Sequence, residues 1–188
     1  MTLRRAAFID RDGVLNQDHG YVFRREDFHW LPGAIEALAR LQRAGYALVV
    51  VTNQSGIARG LYTQGDMEAL HRTISKELQD QGVQLAGIYA CPHHPQAVRP
   101  ELRMDCACRK PMPGMILQAA DELGLDLGAS CLFGDKPSDI QAGRRAGVGL
   151  CWLIGEPAAA RDGGADGASD SLAQAVAAQL ATGQGAAG

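Results

Sequence analysis

The chain has 188 residues, enough for one well-buried domain and too few for two ordinary ones. Apolar residues make up 46% and charged residues 21%, and the formal net charge of −3 argues against nucleic acid as a partner, since phosphate-backbone binders carry a basic surplus. No run approaches the length of a membrane span, and the first residues lack the apolar segment of a secretory signal, so a cytoplasmic location with no membrane partner is expected.

The first element starts as the apolar run Ala6-Ala7-Phe8-Ile9 and breaks at Asp10-Arg11-Asp12-Gly13. It reads as a buried strand with two carboxylates at its carboxyl end, where open α/β sheets bind ligands. Carboxylates so placed can hold a divalent cation, attack an electrophile or exchange a proton. A solvated turn is the plainer reading of the same residues. A polar and aromatic loop follows over residues 17–31. Pro32-Gly33 then opens a helix through Ala44, with Ile35, Leu38, Ala39 and Leu41 at helical spacing and Gly45 at its end. Residues 46–51 form a near-continuous apolar run, the mark of a strand buried on both faces. It ends at Thr52-Asn53-Gln54-Ser55-Gly56, a second polar cluster at a strand's carboxyl end.

Thr63 is the expected N-cap of a helix over 64–81, with Met67, Leu70, Ile74 and Leu78 on one face and Gly82 closing it. Residues 85–90 read as a weaker third strand. An irregular segment over 91–113 leads to a helix over 114–123. Residues 132–135 form a strand ending in the carboxylate of Asp135, residues 139–146 a short helix, and residues 148–154 a last strand. Beyond these, residues 156–169 are rich in Ala and Gly with little pattern, residues 172–180 read as a terminal helix, and residues 183–188 are expected to fray. Strands alternating with helices predict an α/β fold, a three-layer Rossmann-like parallel sheet. A single domain over residues 1–188 is expected, with no large cap domain and no internal repeat.

Five cysteines, an odd number in a chain without a secretory signal, speak against a disulfide framework. Cys131 and Cys151 sit in apolar runs and read as small buried hydrophobes. Cys91-Pro92-His93 and Cys106-Ala107-Cys108 are instead paired, short-spaced ligand sets in one loop, about residues 91–110. Three thiolates and an imidazole suit tetrahedral Zn²⁺, which would serve as the core of a loop with little hydrophobic pattern. His94 competes with His93, and the mirror between C-x-H and C-x-C favours His93. Reduced surface cysteines are the plainer alternative.

Asp10-Arg11-Asp12-Gly13-Val14, Thr52-Asn53-Gln54, Arg109-Lys110-Pro111 and Gly134-Asp135-Lys136-Pro137-Ser138-Asp139 together resemble the four motifs of the haloacid dehalogenase superfamily of phosphohydrolases. Val14 stands where many members have Thr. The resemblance implies that Asp10 is a nucleophile and Asp12 a general acid and then base. It implies Mg²⁺ held by Asp10, the backbone carbonyl of Asp12, and Asp135. Thr52 and Lys110 would stabilise the transferring phosphoryl group, and Asp139 would orient Lys110 or support the metal. Asp18-His19-Gly20-Tyr21, residues 52–60 and Cys91-Pro92-His93-His94-Pro95 narrow the resemblance, over residues 8–154, to the heptose-bisphosphate phosphatases of that superfamily.

That narrower resemblance implies removal of the C7 phosphate of D-glycero-D-manno-heptose 1,7-bisphosphate, on the way to ADP-heptose for the lipopolysaccharide core. The partner it implies is a small phosphorylated sugar. Its binding positions would be Asp18, His19, Gly20, Tyr21, Thr52, Asn53, Gln54, Ser55, Arg109, Lys110 and Lys136, and Arg59 adds charge that suits a second phosphate. Histidinol-phosphate phosphatases share the motifs and a similar zinc loop and stand as the alternative. A monomer is expected, because no extra apolar helix face is evident.

Overall fold

The structure, a computed structural model, describes residues 3–155 and 164–184. Six strands form one sheet: β1 (Arg4–Ile9), β2 (Ala47–Asn53), β3 (Leu85–Cys91), β4 (Leu125–Gly134), β5 (Leu150–Ile154) and β6 (Gly167–Ser169). Every pairing is parallel and the order is β3-β2-β1-β4-β5-β6. The helices are α1 (Ala34–Arg43), α2 (Gln64–Asp80), α3 (Gly114–Leu123), α4 (Pro137–Ala146) and α5 (Leu172–Gln184).

The side-chain alternation of β1 explains the layering. Ala7 and Ile9 point into one core with Leu38 and Leu41 of α1 and Val176 of α5. Ala6 and Phe8 point into the opposite core with Met115 and Ile116 of α3 and Ile140 of α4. A strand covered on both faces has no room for polar residues, hence its unbroken apolar run. The expected three-layer arrangement is the one found.

The start of α2 falls where expected, and other boundaries differ. Thr63 caps α2 with a full capping box, its hydroxyl accepting from the Asp66 N–H while the Asp66 carboxylate accepts from the Thr63 N–H. β4 begins at Leu125, seven residues before the expected start, and its pairing with β1 shifts register between Arg5 and Ala7. Ser130 sits at this irregularity and accepts from the Ala6 N–H at 2.8 Å. β6, in a stretch read as patternless, is ordered by pairing with the edge of β5. The unpatterned residues 156–163, and residues 185–188 of the stretch expected to fray, lie outside the described residues; residues 183 and 184 of that stretch instead end α5.

The sheet order runs outward in opposite directions from β1 and β4. Their adjacent carboxyl ends therefore form the topological switch point, where open α/β sheets carry their ligand crevice. Residues 10–33, 54–63 and 92–113 close over that end with no helix or strand beyond the short 3₁₀ turn Pro100–Leu102.

Candidate active site

The chain leaves β1 with the Asp10 N–H donating to the Phe133 carbonyl (2.9 Å), which ties the first loop to the end of β4. The Arg11 carbonyl then accepts from the Leu15 and Asn16 N–H groups at 2.9 and 3.2 Å, folding residues 11–16 into a tight turn. Gly13 has φ +89°, and a Cβ there would run into the Asp135 carboxylate. Only glycine meets both demands, so this turn can lie against β4.

Lys110 sits at the centre of the site and is almost fully buried. Its Nζ contacts Asp10 Oδ1 at 2.9 Å and Asp139 Oδ1 at 2.6 Å, and donates to the Val51 carbonyl at 2.9 Å. The Asn53 side chain grips the Lys110 backbone from both sides. Asn53 Oδ1 accepts from the Lys110 N–H and Asn53 Nδ2 donates to the Lys110 carbonyl, each at 3.1 Å. Asp139, in the first turn of α4, also accepts from the Lys136 N–H through Oδ2 at 2.9 Å. Both supporting positions considered for Asp139 are present: it contacts Lys110, and its carboxylate lies beside those of Asp10 and Asp135.

Charge is crowded here. Burial pushes the Asp10 carboxyl up to about 8, with Asp139 and Asp135 adding to the rise and Lys110 opposing it. Burial likewise raises Asp135. For Lys110, burial works against the charge, yet Asp10 and Asp139 outweigh it and hold the ammonium above the usual lysine range. Asp10, Asp135 and Asp139 offer oxygens all within 4.8 Å of one another. Asp135 Oδ1 is buried with no hydrogen-bond partner. A cluster of hard oxygens with one buried lone-pair atom unspent fits Mg²⁺.

The cavity above these groups has a volume of about 310 Å³. Of the residues singled out in the sequence, Asp10, Asp12, Asp18, Gly20, Tyr21, Thr52, Asn53, Gln54, Ser55, Lys110, Lys136 and Asp139 line it, together with Tyr62 and Ser138, which the motifs do not flag. Gln54 is buried: Nε2 donates to Asp12 Oδ2 (3.0 Å) and Thr52 Oγ1 (2.8 Å), while Oε1 accepts from the Tyr62 hydroxyl (2.6 Å). Lys136 reaches Asp18 at 3.4 Å and Asp135 at 3.6 Å across the cavity mouth. His19 is not among the lining residues; its Nε2 contacts the Asp27 carbonyl at 2.9 Å. Arg109 and Arg59 also lie outside the lining, with Arg109 Nη1 donating to the His93 carbonyl and Arg59 approaching the His94 ring. Nothing in residue type flags Tyr62. Its role follows from Gly56, where a Cβ would strike the Tyr62 ring.

A second cluster lies in the loop that leads to Lys110. Cys91, His93, Cys106 and Cys108 bring their ligand atoms within 4.8 Å of one another. The sulfur–sulfur distances are 2.9, 3.2 and 3.6 Å, and His93 Nδ1 is 3.3 Å from Cys108 Sγ. Sulfurs bound to one tetrahedral Zn²⁺ stand about 3.8 Å apart, so the four groups are already gathered to nearly that size. His93, rather than His94, faces the thiols; His94 Nδ1 accepts from the Gln96 N–H. The cluster can hold a metal ion.

Comparison with known proteins agrees with this geometry. The profile of the haloacid dehalogenase-like hydrolases matches residues 4–147. A protein of Salmonella typhi named D-glycero-beta-D-manno-heptose-1,7-bisphosphate 7-phosphatase is 48% identical over 171 residues, 89% of this chain and 91% of that protein. A D-glycero-alpha-D-manno-heptose-1,7-bisphosphate 7-phosphatase of Photorhabdus laumondii is 43% identical over 150 residues, 80% of this chain and 82% of that one. The crystal structure of D,D-heptose 1,7-bisphosphate phosphatase from B. bronchiseptica, complexed with magnesium and phosphate, superposes with a TM-score of 0.82 at 34% identity, covering 95% of this chain and 99% of that one. The chain belongs to the haloacid dehalogenase-like hydrolase family. No helix among the described residues is long and apolar enough to cross a membrane.

Proposed function

We propose that this chain is a phosphoric monoester hydrolase that removes the 7-phosphate of D-glycero-D-manno-heptose 1,7-bisphosphate. One observation carries the reading: Asp10, Asp12, Thr52 and Lys110 converge on one cavity at the β1/β4 switch point. The 48% identity to a protein named for that reaction supports the substrate.

In this reading Asp10 attacks phosphorus in line, forming an aspartyl-phosphate and releasing the sugar alkoxide. Asp12 protonates the leaving oxygen and afterwards takes a proton from the water that cleaves the intermediate. Lys110 neutralises the phosphoryl oxygens while its contacts to Asp139 and the Val51 carbonyl hold the ammonium in place. Thr52 donates to the same oxygens, and Gln54 ties Thr52 to Asp12. Asn53 keeps Lys110 in register through its backbone. Asp10, Asp135 and the Asp12 carbonyl would hold Mg²⁺, which when bound screens the repulsion between carboxylate and phosphate. Cys91, His93, Cys106 and Cys108 would hold a structural Zn²⁺. Asp18, His19, Gly20, Tyr21, Ser55, Arg59, Arg109 and Lys136 are assigned to the sugar and its second phosphate. The chain works as a single-domain cytoplasmic monomer.

The test is a turnover panel with both anomers of the heptose bisphosphate, histidinol phosphate and 4-nitrophenyl phosphate. A heptose bisphosphate should lead histidinol phosphate by about 100-fold or more in kcat/KM, the scale on which a site built for polar groups rejects a ligand lacking them. A preference for histidinol phosphate replaces this substrate with that one.

A further inference from the structure

Arg11 lies between the two carboxylates of the first motif, yet its side chain leaves the phosphate cavity and is fully buried. Its Nε and Nη2 donate to Asp12 Oδ1 at 3.2 and 3.0 Å, and Nη2 also donates to Asp12 Oδ2 at 2.9 Å. The guanidinium therefore spans both oxygens and sets the plane of the carboxylate. Asn16 Nδ2 and Gln54 Nε2 each reach one oxygen, at 3.0 Å, and neither is charged.

The rest of the guanidinium is held from behind. Nη2 donates to the Val22 carbonyl at 2.6 Å, and Nη1 stands 3.1 Å from Nε2 of His71. His71 is on α2, 60 residues along the chain, and is itself buried. A guanidinium only donates, so His71 Nε2 accepts, and the imidazole is neutral with its proton on Nδ1. Burial, with the Arg11 charge beside it, agrees by lowering the His71 pKa to about 3. Neither residue lines the cavity. Replacing His71 by an apolar side chain would strand one donor of a buried cation.

We propose that Arg11 and His71 are a positioning pair for Asp12: Arg11 fixes the carboxylate, and His71 fixes Arg11. The inference rests on the reading of Asp12 as proton donor to the departing alkoxide.

The leaving group separates this from a purely structural role. A sugar alkoxide needs a proton to depart; 4-nitrophenolate does not. Each variant is read as the ratio of kcat/KM on the heptose bisphosphate to kcat/KM on 4-nitrophenyl phosphate, a quantity that reports steps through leaving-group departure. Asp12→Asn sets the benchmark, with the ratio falling about 100-fold or more, the usual scale of general acid catalysis. His71→Leu should lower the ratio about tenfold, through kcat rather than KM, as a weaker echo of that benchmark. His71→Gln, whose Oε1 can accept from Nη1, should return the ratio to within about threefold of the parent enzyme. Parallel losses on both substrates in His71→Leu, or no rescue by Gln, overturn the pair. If His71→Leu does not fold, Arg11→Lys is read instead: it keeps the charge but cannot span both oxygens, so an unchanged ratio overturns the proposal. An unchanged ratio in Asp12→Asn would show that the proton-donor reading itself has failed. A lowered ratio there with none in the pair's variants would remove the pair alone.

Discussion

Two clusters among the described residues are shaped for a cation, and they are built in opposite ways. Asp10 and Asp135 stand just past β1 and β4, and Asp139 in the first turn of α4, all on backbone held by a core in which Phe8, Ile9 and Phe133 are fully buried. Of the sulfur set, only Cys91 ends a strand; His93, Cys106 and Cys108 belong to the irregular residues 92–113, where Val98 is 70% and Met104 42% exposed. The oxygen site stands on backbone held by an apolar core, so an ion there would supply chemistry. Cys91, Cys106 and Cys108 pack on the core beside α3, but the loop that carries the last two is irregular, so an ion there would supply structure. Oxygen donors suit a hard, exchangeable cation and thiolates a closed, tightly held one.

Asp10 separates the two clusters most clearly. Asp10→Asn should cut phosphate release by about 1,000-fold or more, because the attacking oxygen is lost. It should leave the melting temperature unchanged or higher, because it relieves a crowd of buried carboxylates. A clear drop in melting temperature would mean that the oxygen site also supports the fold. Metal removal from the sulfur site should do the reverse. Chelation, or Cys108→Ser, should lower the melting temperature by about 5–10 °C and open residues 92–113 to protease, since a structural ion contributes folding energy. Metal content, thermal melts and limited proteolysis read this, and an unchanged melt would make the cluster incidental.

The smallest effect is a pH dependence. Asp10 is pushed up to about 8, so below that pH a cation must displace its proton. Apparent Mg²⁺ affinity should therefore rise with pH, by at most about tenfold per unit, and level off above pH 8. Calorimetric titration at several pH values reads the slope, and a flat profile would show that Asp10 is ionised without the ion.

Much of this architecture is legible in residue order. β1 and β2 are visible because both their faces are covered, and the start of α2 because Thr63 and Asp66 cap each other locally. The three strand-end clusters are visible because parallel strands gather their carboxyl ends. Local pattern fails where distant pairing decides. The early part of β4 carries the exposed Ala129 and the polar Ser130, which hide it, and it is a strand because β1 offers a partner. β6, Gly-Ala-Ser, has no strand propensity and takes its form from β5. Arg11 reads as a charged residue in a turn; its burial follows from Val22 and His71, which only the fold brings near. His19 reads as a cavity residue by its place beside Gly20 and Tyr21, but its ring is engaged with the Asp27 carbonyl.

The Asn53 side chain, whose amide pairs with both backbone groups of Lys110, extends the hydrogen-bonding habit of β2 by one residue past its last strand partner. The ammonium is thereby indexed to the sheet instead of to the loop that delivers it. Residues 94–105 can lengthen, shorten or change their outer contour through descent while the positive charge keeps its distance from Asp10. The contour of the loop and the position of the reacting charge are thus separable, divided at a single carboxamide.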